Sequence, residues 1–134
     1  MEKLPESKEW SVRLNYYVLG PMDPKGFQER FELRRADLDA RFVLSKIVQK
    51  VTYQKEQSPT GYVHWQCYVL FKKPVQKYQV QRSLRLLKGE DWQPVRDSKR
   101  AEAYCRKLPT RVDGPFYWPP PVSSNALNKI VEYN

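Results

Sequence analysis

An antiparallel sheet packed against helices, an α+β domain, is the fold class that the sequence predicts, and three observations predict it. The segment 60–71, TGYVHWQCYVLF, is a hydrophobic strand that opens on a turn. A second strand, 50–56, precedes it at hairpin distance across Ser58-Pro59-Thr60-Gly61. Segments with apolar residues at three- and four-residue spacing alternate with these strands, as helices covering one face of a sheet would.

In chain order, residues 1–9 are polar and are expected to be loosely held. Segment 10–20, WSVRLNYYVLG, is rich in β-branched and aromatic residues and reads as a first strand ended by Gly20-Pro21. Residues 21–35 mix prolines and charges around Phe27, Phe31 and Leu33, which predicts a long loop with partial helix. Asp37 is a candidate N-cap for a helix through Gln49, with Phe42, Leu44, Ile47 and Val48 near one side. Strands over 50–56 and 62–71 follow, and Lys72-Lys73-Pro74 closes that hairpin. Segment 75–87 repeats apolar residues at three and four, with Val80, Leu84 and Leu87 inward and Lys77, Arg82 and Arg85 outward, a helix with a basic face. A solvated surface and a DNA-facing one both fit that face. Residues 92–96 read as an edge strand, because Pro94 cannot donate to a ladder. Ser98 is expected to cap a third helix that Pro109 ends. A last short strand lies in 114–121, whose prolines suit a linker, and 122–134 reads as a linker or the start of an oligomerisation segment.

The chain has 134 residues, enough for one domain with a single core (1–121). Its 24 Lys and Arg against 15 Asp and Glu give a net charge of +9, which points to a polyanion, either nucleic acid or an acidic membrane surface. No apolar run approaches the ~20 residues that span a bilayer, and the first ten residues lack an apolar signal core, so a soluble intracellular protein is expected. Cys67 and Cys105 do not form a paired-cysteine motif, and there is one histidine, which argues against structural zinc. With two cysteines a disulfide is allowed but not required.

That histidine, His64, shares a strand face with Gln66, Tyr62 and Tyr68, while Val63, Trp65, Cys67 and Val69 face the other way. One face can be core and the other a site. An imidazole and an amide oxygen side by side need a carboxylate to make a useful cation site, and Glu56, across the hairpin turn, is the candidate. A structural histidine beside aromatics fits the same stretch. In the third helix Tyr104 and Lys107 stand one turn apart, with Arg100 a turn before. A tyrosine among cations can attack a phosphate, since positive charge lowers the phenol pKa and neutralises the target. A structural tyrosine beside surface charges is the plainer reading of that tetrad.

Together and in this order, three blocks resemble the Rep nickases of the HUH endonuclease class, those of single-stranded circular DNA viruses and related plasmids. YQKEQSPTGYVHWQCYVLF (53–71) is similar to the metal hairpin of that family in its histidine-x-glutamine form. WQPVRDSKRAEAYCRK (92–107) resembles its nucleophile helix, and DGPFYW (113–118) the strand that usually follows. The first motif of the family, involved in DNA recognition, is matched only by YYVLG (16–20). The resemblance covers residues from about 10 to 120 and implies a central antiparallel sheet of about five strands with helices.

The resemblance further implies an origin-specific endonuclease that starts rolling-circle replication. Tyr104 would be the nucleophile, left joined to the 5′ phosphate, and Lys107 its electrostatic helper. Glu56, His64 and Gln66 would hold Mn²⁺ or Mg²⁺. Single-stranded DNA would be the partner, with Tyr16, Tyr62, Tyr68 and Arg100 as contacts. No G-x-x-x-x-G-K-[ST] occurs, so the helicase half of a viral Rep is not in this chain. Such proteins often work as oligomers, and those of eukaryotic viruses act in the host nucleus. A non-catalytic single-stranded nucleic-acid binder is the alternative. It explains the charge and the aromatics, but not the ordered glutamate, histidine, glutamine and Y-x-x-K.

Overall fold

The computed structural model describes residues 5–121. In chain order the elements are β1 (Glu6–Asn15), β2 (Tyr17–Met22), β3 (Gln28–Glu32), α1 (Arg35–Ser45), β4 (Val48–Gln57), β5 (Val63–Gln76), α2 (Lys77–Leu84), β6 (Asp91–Pro94), α3 (Ser98–Tyr104) and β7 (Arg111–Trp118). Five strands form one antiparallel sheet in the order β6-β1-β5-β4-β7, and β2 and β3 form a separate ribbon. The fold is therefore the expected α+β class with a five-stranded sheet.

β5, the longest strand, lies at the centre. Its odd-numbered side chains Trp65, Cys67, Val69 and Phe71 join Trp10, Val12 and Leu14 of β1 and Val51 and Tyr53 of β4 in one core, closed by Leu38 and Phe42 of α1 and Val80 and Leu84 of α2. Strand alternation sends the even-numbered neighbours, Gln54, Glu56, His64, Gln66 and Tyr68, to the opposite face. The sheet thus separates an apolar, helix-covered side from a polar one.

Several boundaries differ from the sequence expectation, each for a local reason. β1 already begins at Glu6, because Glu6 and Ser7 pair with Gln76 and Val75. The expected strand over 10–20 is two strands. The apolar alternation Trp10, Val12, Leu14, Tyr16, Val18 runs on without a break, but after Asn15 the backbone changes partner and β2 pairs with β3. The expected loop over 21–35 is this hairpin, turned where Asp23 Oδ1 accepts the backbone N–H of Lys25 and Phe27 and Gly26 takes φ +85°. Leu19, Met22, Phe27 and Phe31 are all exposed on it, so no buried alternation marks the strands.

Asp37 is not the N-cap of α1. It sits three residues inside, where its carboxylate accepts the N–H of the N-cap residue Arg34 at 2.8 Å. Lys46 ends α1 in the left-handed conformation, so Val48 belongs to β4, Leu44 is exposed, and Leu38 with Phe42 forms the buried stripe. Lys72-Lys73-Pro74 does not close a hairpin. β5 runs through it to Gln76, with a register shift against β1 that absorbs the proline. α2 ends at Leu84, and Leu86 rather than Leu87 is buried beyond it. Asp97, not Ser98, caps α3, its side chain accepting Arg100 N–H at 3.2 Å. β6 and β7 are the edge strands of the sheet. The expectation for 122–134 lies outside the described residues.

Among the described residues no helix is long and apolar enough to cross a membrane. Cys67 and Cys105 are both free and buried.

Candidate functional site

The polar face is built around Glu56, whose register partner across the hairpin is His64. The turn that sets this register closes through Gly61 N–H to Ser58 O and Ser58 N–H to Tyr62 O, with Gly61 at φ +90°. The Glu56 carboxylate is 1% exposed, yet three groups converge on it. His64 Nε2 lies 3.3 Å and Lys107 Nζ 3.7 Å from Oε1, and Gln54 Nε2 donates to Oε2 at 2.8 Å. Burial pushes the Glu56 carboxyl pKa up, but His64, Gln54 and Lys107 outweigh it and hold it below the usual carboxylate value.

Gln54 also donates to Lys107 O at 2.8 Å, which ties the turn after α3 to β4. Tyr104 is the last residue of α3, and Lys107 lies in that turn rather than in the helix. The two still meet: Lys107 Nζ stands 4.0 Å from the centroid of the Tyr104 ring. Burial alone would lower the Lys107 ammonium, but Tyr104 and Glu56 together hold its pKa above the usual lysine value. Tyr104 is half exposed. Glu56, Lys107 and Tyr104 therefore form a continuous chain of contacts from a buried carboxylate to a half-exposed tyrosine.

Gln66 stands opposite Gln54 and donates through Nε2 to Ser11 Oγ at 3.1 Å. His64 Nδ1 and Gln54 Oε1 are buried without a hydrogen-bond partner. Buried orphan atoms of this kind are uncommon and call for an explanation such as an ion or water. Among the described residues no group of three or more His, Cys, Asp and Glu side chains gathers for a metal. The donor set here is instead one carboxylate, one imidazole and neutral amide oxygens. Two donors on one small divalent cation, with bonds of ~2.1 Å, lie about 3 Å apart, close to the separation of Glu56 Oε1 and His64 Nε2. Glu56 Oε1 and His64 Nε2 are thus spaced for a hard divalent ion, while the orphan Nδ1 is the other ring nitrogen and faces away from that position.

The remaining candidates divide. Tyr62 stacks on His64 with ring centroids 5.0 Å apart and planes at 15°, and its hydroxyl donates to Asn15 Oδ1. It is part of the site. Tyr16 is buried in the core cluster against Trp65, its hydroxyl donating to Glu32 Oε2 at 3.2 Å, and Tyr68 is buried with its hydroxyl on Glu9. Neither offers a ring face to a base. Arg100 is exposed on α3 and makes no ion pair or ring contact among the described residues. The Cys105 thiol, pushed up to about 12 chiefly by burial, is no nucleophile at neutral pH. Sequence reasoning missed Gln54, Ser11 and Asn15. The spacing of Gln54 to Glu56 repeats that of His64 to Gln66 on the paired strand, and that period of two was the available signal.

No protein-family model matches the chain, and no curated protein matches its sequence.

Proposed function

We propose that this chain is an HUH-type Rep endonuclease domain that nicks and rejoins single-stranded DNA at a replication origin. The observation that carries the reading is the position of Lys107, whose ammonium touches both the Tyr104 ring and the buried Glu56 carboxylate. A lone surface tyrosine would have no such link to a buried, partly unsatisfied polar cluster.

In the reaction the Tyr104 Oη attacks a phosphodiester phosphorus. A new phosphorus–oxygen bond forms to the tyrosine as the bond to the 3′ oxygen breaks. The phenolic proton leaves to solvent, and the departing 3′ oxygen takes up a proton to become a free hydroxyl. The 5′ phosphate remains on Tyr104. Lys107 offsets charge on the phenolate and on the phosphoryl oxygens as they become more negative. The phosphotyrosine keeps the energy of the phosphodiester, so attack by a 3′ hydroxyl reverses the step without a nucleotide cofactor. Glu56, His64 and Gln66 would hold Mn²⁺ or Mg²⁺, which when bound polarises the phosphoryl group. Tyr62, anchored on His64 and Asn15, offers a ring beside the reacting phosphate for an unpaired base.

The metal half of the proposal is tested by calorimetry. The wild type should bind Mn²⁺, His64→Ala should lose that binding, and Glu56→Gln should weaken it. Equal Mn²⁺ affinity in all three proteins would remove these residues as ligands.

A further inference from the structure

On the far side of the sheet, α1 and α2 enclose a cleft of about 480 Å³ lined by Arg41, Arg82 and Arg85. Among the described residues none of the three pairs with a carboxylate. Arg41 spends one guanidinium nitrogen on Leu84 O at 3.1 Å. Burial is the main reason that its pKa lies below the usual arginine value; Glu90 and Asp37 oppose the shift, and Arg85 adds to it. Guanidinium groups gathered with no carboxylate in direct ion-pair contact suit phosphate oxygens, which they bind through two parallel donors.

A second cavity, of about 600 Å³, opens on the other flank of α2 toward the edge strand β6. Its walls include Trp10, Trp92 and Pro94. Tyr78 lines both cavities and is half exposed, with the Arg82 guanidinium 5.5 Å from its ring centroid. Lys77 Nζ stands 5.5 Å from the Trp92 ring centroid, and Trp92 Nε1 donates to Lys77 O at 3.1 Å. Cations and aromatic rings therefore interleave along α2. That pattern takes both parts of an unpaired strand, phosphates on the cations and bases on the rings. A phosphorylated lipid headgroup would use the cations but leave Tyr78 and Trp92 without a role.

We propose that α2 carries a second single-stranded DNA contact, with phosphates held by Arg41, Arg82 and Arg85 and bases stacked at Tyr78 and Trp92. The five-stranded sheet lies between this surface and Glu56. A strand using both must pass around the sheet, so the α2 surface holds DNA without touching the bond that is cut. The inference rests on the single-strand reading proposed above and extends it to a surface that takes no part in chemistry.

The test is anisotropy of a labelled single-stranded oligonucleotide against salt, for the wild type, Arg82→Gln/Arg85→Asn, and Tyr78→Ala. Asparagine is chosen at position 85 because that residue is left-handed, at φ 56°. Two lost phosphate contacts should flatten the slope of log K on log salt by about 1.4 and weaken binding roughly ten- to thirty-fold near ~0.1 M salt. Tyr78→Ala should weaken binding with the slope unchanged. The rate of adduct formation on Tyr104 at saturating protein should stay at the wild-type value in both. Should the double variant melt below the wild type, Arg82→Gln alone, at an exposed position, should still flatten the slope by about 0.7. Wild-type affinity and slope in these variants would overturn the proposal. So would loss of binding to phosphatidylserine vesicles with DNA binding intact, or equal loss on blunt duplex. An affinity loss in a protein that forms no adduct with any strand would leave the α2 contact standing and remove the nuclease reading alone.

Discussion

Tyr53 and Glu56 both stand on β4 and both are shut off from water, at 0% and 1% exposure, one facing the helices and the other the turn after α3. Around Tyr53 the rings of Phe42, Trp65 and Phe116 pack within 6 Å, and its one polar atom donates to Asp39 at 2.6 Å. Burial raises the pKa of that hydroxyl well above the ordinary tyrosine value, and Asp39 raises it further. Around Glu56 the neighbours are cationic and polar, and among the described residues the buried side-chain atoms without partners are Gln54 Oε1, His64 Nδ1 and Thr110 Oγ1. The first two flank Glu56, and Thr110 sits where the chain passes Gln57 on the way to β7. Fully satisfied burial stabilises a fold, whereas partly satisfied burial costs about 1–3 kcal/mol per group and persists where something else can use it.

If that contrast is right, substitutions on the two faces should fail in different ways. The largest effect belongs to the apolar face: Phe71→Ala should lower stability by about 3–5 kcal/mol in urea melts. Any protein still folded at low temperature should keep its site chemistry. A loss below about 1 kcal/mol would show that the face is not the packed core described.

Next comes Lys107→Ala. If its charge acts on the transition state, the covalent step should slow by roughly ten- to a thousand-fold in single-turnover cleavage at saturating protein, with DNA affinity nearly unchanged. Arginine should rescue only in part, because its planar fork does not put charge where a compact ammonium does. A wild-type rate in the alanine variant at saturation would reduce Lys107 to a binding contact.

The smallest effect is the acid dependence of the metal-free protein. The Glu56 pKa is lowered on folding, so its ionised form contributes stability that is present above the unfolded carboxyl pKa of about 4.3 and lost as pH falls through the folded value. Glu56→Gln should show a shallower loss of stability from about pH 5 downward. Parallel curves for the two proteins would mean that the carboxylate gains nothing from His64, Gln54 and Lys107.

The same alternation of faces decided what could be read in the sequence. β5 announced itself because Trp65, Cys67 and Val69 alternate with His64, Gln66 and Tyr68, and both faces are buried or occupied. The pairing of Glu56 with His64 followed from the length of the turn. β2 and β3 stayed hidden because their large apolar residues are exposed, and the loss of sheet pairing after Asn15 leaves no mark on the pattern. Tyr16 was expected to contact DNA from the resemblance at YYVLG, yet it continues the Trp10, Val12, Leu14 alternation and is buried with those residues. Lys107 was expected on a helix and reaches Tyr104 from a turn instead, an arrangement held by Gln54, whose role depends on contacts distant in sequence.

The central claim is that Tyr104 makes the bond. Single-stranded oligonucleotides with the label on either end, incubated with the protein and Mn²⁺ and run on a denaturing gel, test it most directly. The account predicts a covalent protein–DNA species that carries only the 3′-side fragment, with its 5′ phosphate on Tyr104 by mass spectrometry. The other fragment should end in a free 3′ hydroxyl, and Tyr104→Phe should yield no adduct while binding DNA within a few-fold of the wild type. An adduct that survives in Tyr104→Phe, or cleavage that leaves no protein on either fragment, would contradict it.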